Sequence, residues 1–142
     1  MVLSFNYHKL PNKKGVDRRT PTIPVILNGN AEISLPVYAL VDSGADISVI
    51  PKALAEVLDL DLEGKTHESY GIAGEIKVKD SKMKVTISKN HESYSYIIPV
   101  QVVLTGEEPP IILGRAGFFN KFIIFIDESK QKIKFKGINK IF

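Results

Sequence analysis

The sequence predicts a mainly β domain, a closed or partly closed barrel with one or two short helices. Runs of β-branched and apolar residues recur along the chain, and clusters of Gly, Pro, Asn and Asp separate them. One stretch has helical spacing, and no repeat of roughly 20 to 50 residues points to a solenoid or propeller. At 142 residues the chain has the length of one domain and can bury a core without staples. With 44% hydrophobic and 25% charged residues it lies among globular sequences.

Residues 1–19 mix Asn, Lys, Pro, Gly and Arg without sustained periodicity and read as an N-terminal arm, with the folded domain over 20–142. Thr22 to Leu27 and Ala31 to Val41 form a hairpin, and Asn28-Gly29-Asn30 between them carries the Asn-Gly pair of a tight turn. After Asp42-Ser43-Gly44, the segment from Pro51 places Leu54, Val57 and Leu58 at helical spacing, which predicts a helix of two to three turns. From Thr66 to Leu104 the pattern returns to strands, with breaks at Gly71, Gly74, Asp80-Ser81 and Lys89-Asn90 read as hairpin turns. Glu107 to Pro110 is a loop, Ile111-Ile112-Leu113 an apolar run, and Ala116 to Asn120 a second short helix. Two alternating strands around Asp127 to Lys130 complete the chain.

Composition removes several function classes. Without cysteine there is no disulfide framework, thiolate zinc site or cysteine nucleophile, which fits a reducing, cytoplasmic setting. His8, His67 and His91 share no spacing that would pair them, so neither a metal site nor a cofactor is expected. The N-terminus lacks the apolar stretch of a secretory signal, and no run approaches the ~20 apolar residues of a membrane span. The net charge of +3 comes from dispersed lysines that read as solvated faces, so neither nucleic acid nor membrane is expected as a partner.

Asp42-Ser43-Gly44 directly follows the apolar strand end Ala39-Leu40-Val41. A carboxylate there is partly desolvated, and the glycine lets backbone approach a ligand. By itself the tripeptide equally suits an ordinary turn. Gly71-Ile72-Ala73-Gly74 has the backbone freedom of a moving hairpin tip, and equally of an inert one.

Three segments in order carry a resemblance. ALVDSGADISVI resembles the catalytic loop of retroviral proteases and of the retropepsin-like domains of DNA-damage-inducible ubiquitin-shuttle proteins. YGIAGEIKV resembles their glycine-rich flap, and IILGRAGFF their apolar-apolar-Gly segment. The resemblance covers roughly residues 20–136 and implies a retropepsin-type barrel that acts as a homodimeric aspartic endopeptidase.

It implies that Asp42 is the catalytic acid, that Ser43 holds the two loops together across the axis, and that Gly44 presents its carbonyl to substrate. It places Ala45, Asp46, Tyr70, Gly71, Ile72, Ala73, Gly74, Pro110 and Ile112 against the substrate, and Leu40 at a pocket-lining position. It pairs Asp46 with Arg115, and Arg19 is a candidate to join them across the dimer. Tyr70 also reads as a plain strand aromatic, Leu40, Ile72, Pro110 and Ile112 as core residues, and Arg115 as a surface charge near a helix start.

Hydrolysis by this chemistry needs two carboxylates about 3 Å apart sharing a proton. The chain has one Asp-Ser-Gly loop, so a second copy supplies the other carboxylate through an isologous interface. The substrate is then an extended polypeptide with apolar residues at the cleaved bond. Ala45 stands where many two-domain relatives have Ser or Thr, which implies a mildly acidic optimum. Ser43 replaces the commoner Thr and keeps the hydroxyl, and the C-terminal hairpin from Phe122 to Lys136 extends beyond the retroviral pattern. Two other readings are a retropepsin-fold dimer that binds peptides without cutting them, and a basic barrel that binds single-stranded nucleic acid.

Overall fold

The computed structural model describes residues 2–10, 18–30, 32–71 and 74–138. In chain order the elements are β1 (Val2–Asn6), β2 (His8–Lys9), β3 (Arg19–Thr20), β4 (Thr22–Asn28), β5 (Ser34–Val41) and β6 (Ser48–Pro51), followed by helix α1 (Lys52–Val57). Then come β7 (Thr66–Gly71), β8 (Gly74–Lys89), β9 (Glu92–Val103), β10 (Ile112–Leu113), a 3-10 turn (Phe119–Lys121), β11 (Phe122–Asp127) and β12 (Lys132–Gly137).

The main sheet runs β4-β5-β10-β6-β9-β8-β7, and β4 also pairs with β8 where Ile26, Leu27 and Asn28 face Thr86, Val85 and Lys84. That extra pairing closes β4, β5, β10, β6, β9 and β8 into a ring and leaves β7 outside, paired among the described strands with β8 alone. Closure satisfies edges that an open sheet leaves exposed, so the expected mainly β barrel is the fold. Its interior follows the strand period of two. Ile23, Val25 and Leu27 alternate inward from β4, Met83, Val85 and Ile87 from β8, and Ile98, Val100 and Val102 from β9.

The N-terminal residues expected to form an arm enter the fold instead. Strand β1 pairs antiparallel with β12, which pairs with β11, giving a three-stranded sheet from the two ends of the described chain. Leu3, Phe5 and Tyr7 are buried, so the alternation in VLSFNY is that of a half-buried strand. An aromatic seam fixes this sheet to the barrel: Phe122 packs edge-on against Tyr94 and Tyr96 of β9 with centroids 5.6 and 5.7 Å apart, and Phe135 meets Phe5, Phe118 and Phe122. The rest of the expected arm, residues 11–17, lies outside the described residues.

Four local expectations change. The β4–β5 hairpin has no two-residue Asn-Gly turn, because Asn28 pairs with Ser34 and its side-chain amide donates to the Ile33 carbonyl and Ser34 Oγ. Asp80-Ser81 does not break β8, since both residues continue the ladder to Gln101 and Val100 of β9. Helix α1 stops after Val57, short of two full turns, because Asp59 takes φ +53° and turns the chain left-handed. Over 116–120 no α-helix forms: Gly117 has φ +77°, and only a 3-10 turn follows. At Asn90-His91 the expected turn is present, with positive φ at both residues.

Candidate active site

The segment between β5 and β6, residues 42–47, is held by a second piece of chain that crosses it. Strand β10 lies parallel to β5, with Ile112 beside Leu40 and Leu113 beside Val41, and antiparallel to β6, with Ile112 opposite Val49. As the chain leaves β5, the Asp42 amide donates to the Leu113 carbonyl at 3.0 Å. Beyond β10, the amides of Arg115 and Ala116 donate back to the carbonyls of Ala45 and Asp46, both at 2.9 Å. The loop is thus clamped at its start and its end by residues some seventy positions later.

Gly114 makes the clamp possible. A Cβ there would lie 2.7 Å from the Ile47 carbonyl carbon and 2.9 Å from the Ala45 oxygen, so a side chain would push the two segments apart. Its amide donates to Ser48 Oγ at 3.0 Å inside the protein, and Ser48 is fully buried. The sequence reading missed Ser48. A serine at the start of an apolar strand, two residues beyond Asp46, was the available signal, since a buried hydroxyl needs a partner.

Within the loop, Asp42 is half-buried, and its Oδ1 accepts a hydrogen bond from the Gly44 amide at 2.9 Å. The Ala45 amide donates to the Asp42 backbone carbonyl at 3.2 Å, which closes the turn. Ser43 and Gly44 are exposed. Asp46 and the Arg115 guanidinium form an ion pair. Both partners are exposed in the single chain, at 82% and 56%, so the pair is no buried bridge within one protomer.

The remaining expected positions fall into two groups. Leu40 and Ile112 are half-buried neighbours on the outside of the barrel next to the loop, and Pro110 is half-buried ahead of β10. A cavity of about 440 Å³ lined by Tyr38, Leu54 and Val57 opens beside Pro110 and does not reach Asp42. Tyr70, Gly71 and Gly74 lie in the β7–β8 hairpin, where Gly71 pairs with Gly74. Ile72 and Ala73 lie outside the described residues. Among the described residues, no hydrogen bond or ion pair joins this hairpin to residues 42–46. Arg19 is exposed in β3, opposite Lys9.

Two protonatable contacts brace the hairpin itself. His67 Nε2 lies 3.0 Å from Asp80 Oδ1, and this hydrogen bond raises the imidazole above its ordinary range. Glu75 is also raised, chiefly by a hydrogen bond with Glu68, whose Oε2 lies 3.4 Å from the Tyr70 hydroxyl.

The molecule therefore presents one carboxylate on a glycine-containing turn, locked to a barrel wall, with a two-stranded hairpin standing apart from it. The chain is similar to solved structures. A retropepsin-like aspartic protease from Rickettsia conorii aligns at 21% identity over 94% of this chain and 98% of that one, with a TM-score of 0.61. EIAV protease complexed with the inhibitor HBY-793 aligns at 22% identity over 72% of this chain and 88% of that one, with a TM-score of 0.46. No curated protein matches the chain. The aspartyl protease family matches residues 23–116, a span that takes in the Asp42 turn, the β7–β8 hairpin and the Gly114 clamp, and the chain belongs to that family.

Proposed function

We propose that the chain is one protomer of a homodimeric aspartic endopeptidase, with Asp42 of each copy forming the catalytic pair. The observation that carries this reading is a single Asp-Ser-Gly turn held by the Leu113–Ala116 clamp in a member of the aspartyl protease family. One carboxylate cannot serve at once as the base toward water and as the acid toward the scissile carbonyl.

In the dimer the two Asp42 side chains share one proton. The ionised member takes a proton from water as the oxygen attacks the peptide carbonyl, and the protonated member donates to the carbonyl oxygen. Collapse of the tetrahedral adduct breaks the C–N bond, and a proton moves to the departing amine. The Gly44 amide sets the direction of the carboxylate before substrate arrives, on a turn closed by the Ala45 amide, which lowers the cost of orienting it during the reaction.

Extended substrate lies between this floor and the β7–β8 hairpin, which acts as a flap, with Ala45, Asp46 and Ile112 beneath it and Tyr70 to Gly74 above. Leu40, Pro110 and Ile112 favour apolar side chains at the cleaved bond. The Ser43 hydroxyls hold the two turns together, and Arg19 of one copy approaches the Asp46–Arg115 pair of the other. Activity peaks in the mildly acidic range. Among the described residues the outer edge of β11 pairs with no further strand, which gives the protomer an edge to pair with its copy.

The test incubates the chain with an unfolded protein at several pH values, with Asp42→Asn and a statine-type inhibitor in parallel, while sedimentation follows dimerisation. Cleavage by the dimer that falls about 10³-fold or more in Asp42→Asn and stops with inhibitor is the expected result. Binding without cleavage, or a monomer that cleaves, overturns the reading.

A further inference from the structure

We infer that the outer face of the β1-β12-β11 sheet is a docking surface for an anionic lipid membrane. The inner face of this sheet belongs to the core through Leu3, Phe5, Ile133 and Phe135. Register then fixes the outer face. Its rows are Val2–Lys136–Ile123, Ser4–Lys134–Phe125 and Asn6–Lys132–Asp127. Three lysines run down the central strand as one column, spaced roughly 6.8 Å apart by the strand rise.

Apolar side chains flank that column. Val2 is 49% exposed, Ile123 47% and Phe125 53%, and Ile138, just past the end of β12, is 47% exposed. A groove of about 950 Å³ on this sheet is lined by Val2, Phe125, Lys132 and Lys134 and, at its far end, by Asp127 and Glu128. The acidic residues collect at the opposite end, by the β11–β12 turn. Asp127 accepts from Ser129 Oγ and the Lys130 amide there, and Glu128 accepts from the Tyr7 hydroxyl. The face thus grades from an apolar end at Val2, Ile123 and Ile138, through the lysines, to an acidic end.

Charge and chemistry decide the occupant. A second copy stacked face to face would bring two lysine columns together, which like-charge repulsion disfavours. Single-stranded nucleic acid would use the lysines but leave Val2, Ile123 and Ile138 in water, and Phe125 is the one aromatic among these face residues on which a base could stack. An anionic bilayer satisfies both halves at once: headgroup phosphates and carboxylates meet the lysines while the aliphatic and Phe125 side chains enter the acyl boundary. Tilting onto the apolar end lifts Asp127 and Glu128 away from the surface. This reading departs from the expectation of no membrane partner, because Val2, Lys136 and Ile123 become neighbours only through pairing. It is independent of catalysis.

The full chain is sedimented with vesicles of phosphatidylcholine alone and of phosphatidylcholine with phosphatidylserine. The expected result is partition onto the phosphatidylserine vesicles only, weakening as salt rises. The triple change Lys132→Gln, Lys134→Gln, Lys136→Gln lowers this partition by about 100-fold, at about fivefold per lysine. Ile123→Ser with Phe125→Ser lowers it at constant charge. The control Lys65→Gln, Lys82→Gln, Lys84→Gln removes the same charge elsewhere and leaves it within about twofold, since screened charges far from the surface contribute little. All these side chains are exposed, and melting curves confirm that each variant is folded. No binding to phosphatidylserine vesicles at low salt, equal loss in the control, or binding of an oligonucleotide in place of vesicles overturns the proposal.

Discussion

The Asp42 turn and the β7–β8 hairpin are both glycine-containing turns after a strand, yet the fold treats them oppositely. The turn is tied at Asp42, Ala45, Asp46 and Ser48 to residues 113–116, a segment remote in sequence. The hairpin is held at its base, where Lys77 bonds Leu104 and Thr105 and Val78 pairs with Val103, but from Ser69–Ile76 to Gly71–Gly74 it rests on its own ladder, and Tyr70 near its tip is 76% exposed. Under the proposed function the Asp42 carboxylate must already point the right way, and tertiary hydrogen bonds from a distant segment can fix it. Under the same proposal the hairpin must open, and a local ladder with little burial can do so at small cost.

The sharpest way to break this contrast is at Gly114. Gly114→Ala places a methyl group against the Ile47 backbone, and overpacking of that kind costs about 2–3 kcal/mol. Thermal unfolding is expected about 5–10 °C lower. Ser48→Ala comes next. It leaves the buried Gly114 amide without an acceptor, for a loss of about 1–2 kcal/mol in denaturant titration. Gly74→Ala, by contrast, meets no atom within 4 Å and only strains a positive φ, so global stability is expected to fall by less than about 1 kcal/mol. If Gly74→Ala proved as damaging as Gly114→Ala, the distinction between fixed floor and free hairpin would fail.

Arg115→Ala sharpens the contrast from another side. The Asp46–Arg115 pair is exposed in one chain, so its loss is expected to cost under about 1 kcal/mol at concentrations where the chain is monomeric. A larger loss that appears only as concentration rises would show that a second copy buries the pair.

The smallest expected effect concerns pH. His67 and Glu75 both have folded values above their ordinary ones, the first from the Asp80 hydrogen bond and the second from Glu68. Such groups stabilise the hairpin fully below their unfolded values, and the contribution is lost as pH rises through the folded values. Glu75 therefore releases its share in the acid range and His67 its share above the ordinary histidine range. Amide protection factors in β7 and β8 should decline in those two steps as pH rises. Protection in the hairpin that increased toward alkaline pH would contradict the assignment.

Much of this was legible before the structure. Alternation in TIPVIL, MKVTIS and SYIIPVQVV gave the barrel strands, because one buried face forces a period of two. The Asp42 turn was visible because an apolar strand ended abruptly in Asp-Ser-Gly. Local chemistry misled where tertiary pairing outweighed it: Asp80-Ser81 looked like a turn until β9 supplied its hydrogen bonds, and Gly117 ended a helix that Phe118, Phe119 and Phe122 suggested. The N-terminal strand was overlooked because the lysines and proline after Tyr7 masked the short alternation Leu3, Phe5, Tyr7.

By itself, then, the sequence determined the β class of the protein and its single Asp-Ser-Gly turn, since these follow from side-chain period and from an apolar strand that ends abruptly in that tripeptide. Tertiary structure alone decided that residues 113–116 clamp that turn, that Ser48 anchors the clamp, and that the first and last strands share a sheet with a lysine column on its outer face. Each of those depends on which distant backbones hydrogen-bond to one another. Such pairing is selected by closing the whole barrel and burying its inner face, and no short stretch of residues specifies it.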